Sequence, residues 1–232
     1  MRIPSFSFNG LASVFIFPIL IIIFSFSLNS SPDFAQIKTF IDKYSYFYVP
    51  VAIIISVLSS SLNSVASSVI SREGKLVSEL KSLPVSYKDI FISKFIHVSE
   101  ITFMGTFFST LVLGFLLKLN IFEIIMIIII GFINSSFLNV LQMLVDVSRP
   151  KLTWDNPQKA MKQNLNVAIS IPIVFGYSFI LGFLGFILIN SVNQWIISIL
   201  FMVFGVFGFY FIYRLLIVAF KKFVDKDISF IS

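Results

Sequence analysis

The chain has 232 residues, of which 57% are hydrophobic and only 12% are charged, whereas soluble domains average about 45–50% and about 25%. A soluble fold of this size lacks the polar surface to cover so many apolar side chains, so we predict an integral membrane protein. The absence of Cys and the single His, His97, exclude disulfides, thiolate sites, Cys nucleophiles and zinc sites with paired histidines. The net charge of +6 therefore bears on orientation in a membrane, and we expect no nucleic-acid partner.

Six segments are long and apolar enough to cross a bilayer as helices, which takes about 20 residues each. In chain order they are 11–28, 48–70, 91–117, 121–145, 167–189 and 195–220. The first follows Arg2 and could be a secretory signal peptide, but its apolar run is long for one and no Ala-x-Ala site follows. We predict an all-α fold, in which residues 1–232 form a single transmembrane domain, a polytopic bundle of about six helices.

The segment between the first two spans predicts a short helix on the membrane surface. Ser31, Pro32 and Asp33 supply an N-cap, a Pro at the first helical position and an acidic first turn. Apolar residues then recur at helical spacing, at Phe34, Ile37, Phe40, Ile41 and Tyr44.

The basic residues fall almost entirely on one side of the predicted spans. Of the 17 Lys and Arg residues, only Lys38, Lys43 and Lys118 lie in loops on the other side. Cytoplasmic loops of membrane proteins carry an excess of Lys and Arg. We therefore predict a multi-pass protein of the cell membrane, with both termini and the loops 71–90 and 146–166 in the cytoplasm.

The sequence pattern of the first cytoplasmic loop, 71–90, predicts a short helix. Leu76, Leu80 and Leu83 occur at i, i+4 and i+7, which predicts one apolar stripe on two helical turns. Pro84 ends this helix, and Ser86 begins a Ser-x-x-Asp sequence that predicts the start of the third span.

The second cytoplasmic loop, 146–166, also predicts a short helix. Asn156 is suited to the N-cap and Pro157 to the first helical position. Trp154 is a residue typical of the lipid headgroup level.

Both loops carry a family resemblance. The first, with Glu73-Gly74-Lys75 and Leu80-Lys81-Ser82-Leu83-Pro84-Val85-Ser86, resembles the loop after the second span of type-two ABC exporter permeases. The second, Arg-Pro-Lys-Leu-x-Trp-Asp-Asn-Pro-x-x-Ala-x-Lys-Gln-Asn, is similar to one branch of these permeases in Gram-positive bacteria. Because larger members of that branch carry a further membrane region first, the chain resembles their second half. We expect a half-size subunit, a split gene or a fragment.

The resemblance implies the membrane subunit of an exporter that uses ATP hydrolysed, with Mg, on a separate ATPase subunit. The chain itself has no P-loop, since Leu follows Gly74-Lys75 and no upstream Gly completes the motif, so we expect neither an enzyme nor a cofactor. Six spans are half of the usual translocation unit, which implies a second membrane subunit, identical or different.

In the family, the first loop forms a coupling helix that docks on the ATPase. From its composition alone, the same loop could equally be a solvated basic loop without a partner. The implied coupling residues are Arg72, Glu73, Gly74, Lys75, Leu76, Glu79, Leu80, Lys81, Leu83 and Pro84.

Polar residues inside the second span leave two interpretations open. Either they let helices pack closely, or they line a path for the substrate. The residues concerned are Ser60, Asn63, Ser64 and Ser67. The substrate itself is not specified, because peptides, drugs and lipids all suit an apolar bundle.

The alternative to an exporter is a non-transporting membrane scaffold or immunity protein. An intramembrane Ser–His protease would have to use His97, near the cytoplasmic surface, and no Gly-x-Ser-Gly motif accompanies it. Glu100, three residues on, lies on the same helical face. Both residues are near the cytoplasmic end of the span, so snorkelling to the interface or pairing with a loop Lys is the simpler interpretation.

The charge distribution predicts a topology that reporter fusions can check. Fusions at Asp155 and at the C-terminus are expected to report a cytoplasmic location, and fusions at Asp33 and Asn193 an external one. One reversed site would contradict the six-span arrangement.

Overall fold

A computed structural model describes residues 4–29, 39, 47–82 and 84–225 of the chain. The surface helix predicted after Ser31 falls outside the described residues, as does Leu83. The fold is all-α, as predicted, and the described residues contain no strand. The α-helices are α1 Pro4–Asn29, α2 Tyr48–Ser61, α3 Val77–Ser82, α4 Tyr87–Leu116, α5 Ile121–Ser148, α6 Pro157–Lys162, α7 Leu165–Leu188 and α8 Gln194–Asp225.

Five helical regions of the described chain are long and apolar enough to cross a membrane. The chain is therefore a multi-pass helical bundle. The five regions are Tyr48–Leu80, Tyr87–Leu116, Ile121–Ser148, Gln158–Leu188 and Gln194–Asp225. Helix α1 adds a shorter apolar stretch, Val14–Ser27. A membrane crossing by α1 therefore stays a prediction.

Side-chain caps set the starts of the helices where the sequence predicts them. The Ser86 hydroxyl accepts the backbone N–H of Asp89 at 3.2 Å, so α4 begins at Tyr87. The Asn156 side chain accepts the N–H of Gln158 at 2.9 Å, so α6 begins at Pro157. These caps are local in sequence, which is why the pattern alone identifies them.

Two clusters of buried apolar side chains fix the direction of the helices. One cluster joins Val14 of α1, Phe91 of α4, Val147 of α5 and Phe220 of α8. The other cluster includes Leu113, Ile127 and Phe201, from the opposite ends of α4, α5 and α8. Helices α5 and α8 therefore run antiparallel to α4.

The end of the bundle at the first cluster carries most of the described basic residues, and we call it the basic end. It holds the connections 66–86 and 149–164 and the C-terminal turns of α8. Its basic residues include Arg72, Lys75, Lys88, Arg149, Lys151, Lys159, Lys221 and Lys222. At the opposite end, Lys118 follows α4.

The second span differs from the continuous helix predicted over 48–70. Helix α2 stops at Ser61, and two 3₁₀ segments, Ala66–Ser68 and Ser71–Leu76, follow. The side chain of Asn63 explains the break, because its Nδ2 donates to the Ser60 carbonyl at 2.6 Å and its Oδ1 accepts the Val65 N–H at 3.0 Å. These bonds replace the helical pattern with a local turn.

The short helix predicted in the first cytoplasmic loop, with Leu76, Leu80 and Leu83 on one stripe, forms as α3, although Leu83 lies outside the described residues. Gly74 has a φ of 55°, a left-handed conformation that interrupts the 3₁₀ segment before Leu76. Only Val77–Ser82 then forms α-helix.

A polar stripe on α5 lies along the broken span. Ser135, Asn139, Gln142 and Asp146 recur three or four residues apart, which places them on one helical face. The Ser135 and Ser60 hydroxyls lie 2.6 Å apart, and the Gln142 Nε2 donates to the Ser61 carbonyl at 3.0 Å. Because irregular backbone at membrane depth must find partners within the protein, this stripe stabilises the break.

Close contacts between small residues bring α2 against α4. A Cβ added to Gly105 would lie 3.1 Å from the Cα of Ser60 and 3.2 Å from its Cβ. At Gly176, on α7, an added Cβ would meet no atom within 4 Å. Small residues at such contacts let helix backbones approach closely.

We expect Gly105→Val to lower the free energy of unfolding by about 1–3 kcal/mol, because the added atoms overpack the contact with Ser60. Thermal unfolding of the purified protein in detergent micelles measures the change. Gly176→Val is the matched control and is expected to be neutral, since its site is open. Equal losses in both variants would contradict the close α2–α4 contact.

Candidate functional site

The two connections at the basic end meet at a buried carboxylate, Asp146, two residues before the end of α5. Its Oδ2 accepts the backbone N–H groups of Ile70 at 2.6 Å and Ser71 at 3.0 Å. Its Oδ1 accepts the Ser71 hydroxyl, and the Asn166 Nδ2 donates to the same oxygen at 2.8 Å. We call these four donors and Asp146 the carboxylate clamp.

The carboxylate clamp joins three parts of the chain that are distant in sequence. Ile70 and Ser71 end the second span, Asp146 ends α5, and Asn166 begins α7. Asn166 Nδ2 also donates to the Arg149 carbonyl at 3.0 Å, which holds the chain as it leaves α5. A buried polar group without partners is costly, and the four donors reduce the cost of burying this side chain.

A tryptophan adds a second link between the two connections. The Trp154 Nε1 donates to the Ser71 carbonyl at 2.9 Å, and the Lys151 N–H donates to the Ser71 hydroxyl oxygen at 2.9 Å. The Trp154 ring also packs on Gly74, where an added Cβ would lie 2.7 Å from the indole. Gly74 is therefore required both by its positive φ and by this contact.

Some of the predicted coupling residues contact the chain itself. The Arg72 Nε donates to the Ser68 carbonyl at 3.2 Å and its Nη2 to the Val65 carbonyl at 3.1 Å. Glu73 forms an ion pair with Lys94 of α4. Arg72, Glu73 and Gly74 thus hold the connection in place.

Other predicted coupling residues face outward. Leu76 is 47% exposed, Lys75, Glu79 and Pro84 are exposed, and Leu80 is half-buried. The next residue, Val85, is 50% exposed and adds to the same outward segment. The side chain of Lys81 lies outside the described part of the chain, as Leu83 does. We call Lys75, Leu76, Glu79, Leu80, Pro84 and Val85 the outward surface.

The four residues predicted as a substrate path lie within or beside the break of the second span. Ser60, Asn63 and Ser67 are buried, and Ser64 is half-buried with its carbonyl bonded to the Ser68 hydroxyl. Ser60 and Asn63 make the bonds that define the break, which is the role expected of close packing. A role in a path stays a prediction.

The described residues offer no metal site, since no three of their His, Cys, Asp and Glu side chains come together. The His97 Nδ1 lies 3.8 Å from the Glu100 Oε2, and the Glu100 side chain is exposed. The His97 side chain is half-buried.

Comparison of the chain with protein-family models, with curated proteins and with solved structures finds no match.

The sequence pattern alone does not identify Asp146 as the organising residue, because it predicts Asp146 only as the first residue of the second cytoplasmic loop. The signal available was an acidic side chain directly after a long apolar run, a position where ionisable groups are expensive and therefore have a partner. Its partners, Ser71 and Asn166, could only be found in three dimensions.

We expect Asp146→Asn to lower the free energy of unfolding by about 1.5–3 kcal/mol, since an amide loses the charge and turns an NH₂ group toward N–H donors. Hydrogen exchange of the amides of 66–76 and 149–166 is expected to quicken in the same variant. Asp155→Asn is the control, because Asp155 is 93% exposed and pairs only with Lys159 among the described residues. Unchanged exchange in Asp146→Asn would contradict the carboxylate clamp.

Proposed function

We propose that this chain is the membrane subunit of an ATP-binding-cassette exporter, which moves a substrate out of the cytoplasm with ATP hydrolysed by a separate ATPase subunit. The observation that carries the proposal is the outward surface, which lies between two spans at the basic end and consists of the short helix α3 flanked by the exposed apolar side chains of Leu76 and Val85. The resemblance of both connections to type-two exporter permeases supports it.

The outward surface has the chemistry of a docking element. Leu76 and Val85 offer apolar area to a partner groove, and Lys75 and Glu79 add charges of both signs that orient the partner. By the positive-inside rule the basic end faces the cytoplasm, where an ATPase and ATP are found.

The contacts behind the outward surface suit it to transmit force. Glu73 is paired with α4, Gly74 packs on Trp154, and Ser71 is bound in the carboxylate clamp with α5 and α7. A displacement of α3 by a moving ATPase would therefore act on several spans together, as the switch between inward- and outward-facing states requires.

The polar interior of the second span fits a path in the transporting state. The hydroxyls of Ser61 and Ser67 and the side-chain oxygens of Asn139 and Gln142 are buried without a hydrogen-bond partner among the described residues. Such groups are normally satisfied by ordered water, so water beside the break is expected. A second membrane subunit, identical or different, would complete the translocation unit.

A non-transporting membrane scaffold or immunity protein is the alternative function. Such a protein has no need of an ATPase, so purification of the tagged chain from its native membranes separates the two. An eluate without ATP hydrolysis would favour the alternative.

We expect Leu76→Asp and Leu80→Asp to abolish association with the ATPase while membrane insertion is unchanged. Full burial of a Leu contributes about 1.5–3 kcal/mol, so replacing it with a charge weakens docking by at least about tenfold. Pull-down from membranes followed by an ATP-hydrolysis assay measures the loss. Ser78→Asp is the control, because it adds the same charge to an exposed position of α3 and leaves both Leu residues intact. If both Leu variants retained the ATPase, the outward surface would be a solvated connector.

A further inference from the structure

A groove between α4 and α8 lies at the basic end, apart from the outward surface. It encloses about 220 Å³, and its walls are mainly aromatic and aliphatic. Phe91 contacts Tyr213 and Phe220, with ring centroids 5.6 Å and 5.7 Å apart, so the aromatic wall is packed across the two helices. Ile92 and Ile217 complete the apolar lining.

The size and position of the groove suit a single hydrocarbon chain. Pockets for drug-sized ligands span about 300–1,000 Å³, so this volume is too small for one. Ile92 is 44% exposed, so the groove is open along the side of the bundle, where α4 and α8 turn apolar residues outward. An acyl chain of a membrane lipid can therefore enter from the bilayer.

A positive charge lies at the mouth of the groove. Lys88 lines it from the first turn of α4, is exposed, and makes no hydrogen bond or ion pair with any described residue. Lys221 follows Ile217 by four residues on α8, which places it on the same helical face, one turn nearer the end. The neighbouring acid, Asp89, accepts the Ser86 hydroxyl at 2.7 Å as part of the α4 cap.

Both lysines stand where apolar helices reach the basic end, which is the level of the lipid headgroups. Basic pockets between spans on the cytoplasmic side suit anionic headgroups. A free phosphate would meet the lysines but leave the aromatic walls unfilled, whereas a lipid satisfies both.

We propose that this groove binds an anionic glycerophospholipid of the phosphatidylglycerol class, with one acyl chain against Phe91 and Phe220 and its phosphate at Lys88 and Lys221. The site is independent of the exporter proposal, since it involves none of the outward surface. Such a lipid would join the first turn of α4 to the last turns of α8 and fix their spacing at the membrane surface.

Native mass spectrometry of the purified full chain tests the site, with phosphatidylglycerol and phosphatidylcholine of identical acyl chains as probes. We expect the chain to retain phosphatidylglycerol in preference to phosphatidylcholine. Lys88→Gln and Lys221→Gln are each expected to lower phosphatidylglycerol retention by about fivefold, as the loss of one lysine near a lipid surface implies. Ile217→Trp, which fills the groove, is expected to lower the retention of both lipids.

Two matched variants control for general basic charge. Lys75→Gln removes an exposed charge from the basic end outside the groove, and Lys118→Gln removes one from the opposite end. Both are expected to retain phosphatidylglycerol as the unaltered chain does. Equal retention of the two lipids by the unaltered chain, or equal losses in the groove and control variants, would overturn the proposal. A lower dimer fraction in Lys88→Gln without lipid loss would overturn it too, since the groove would then bind a second copy of the chain.

Discussion

The backbone of the second span is interrupted at Leu62 and Asn63, and the rest of the structure depends on how its freed polar groups are satisfied. In hydrocarbon, an unpaired N–H or C=O costs several kcal/mol, so a broken span is stable only when other parts of the protein supply partners. Here the partners come from one face of α5, where Gln142 binds the Ser61 carbonyl and Asp146 binds the N–H groups of Ile70 and Ser71. The break in the second span therefore depends on the polar stripe of α5.

Asp146 also links the two connections at the basic end, because its hydrogen-bond donors come from both sides of that contact. Ser71 lies in the first connection and Asn166 directly follows the second, at the start of α7. Trp154 reinforces their contact at the Ser71 carbonyl. The short helix α3 is thus displayed outward from a fixed base. A surface that combines a fixed base with exposed apolar side chains is suited to receive a partner and to pass on its movement, which is the basis of the proposed exporter function.

The bundle presents two chemically different surfaces at its basic end. The outward surface combines Leu76 and Val85 with charges of both signs, which favours a protein partner. The groove between α4 and α8 combines an aromatic wall with lysines and opens to the side of the bundle, which favours a lipid. The two proposals therefore assign different partners to the two surfaces.

The sequence by itself determined the all-α bundle, the positions of the last four apolar spans and the caps at Ser86 and Asn156, because each depends on residues within a few positions of one another. It placed the ten predicted coupling residues in one connection but could not separate Arg72 and Glu73, which bind the chain itself, from Leu76, which faces outward. Only the tertiary structure decided that Asn63 ends α2 and that Asp146 organises both connections. Asp146 and Ser71 are 75 residues apart, and no local pattern encodes a bond between groups brought together by the packing of whole helices.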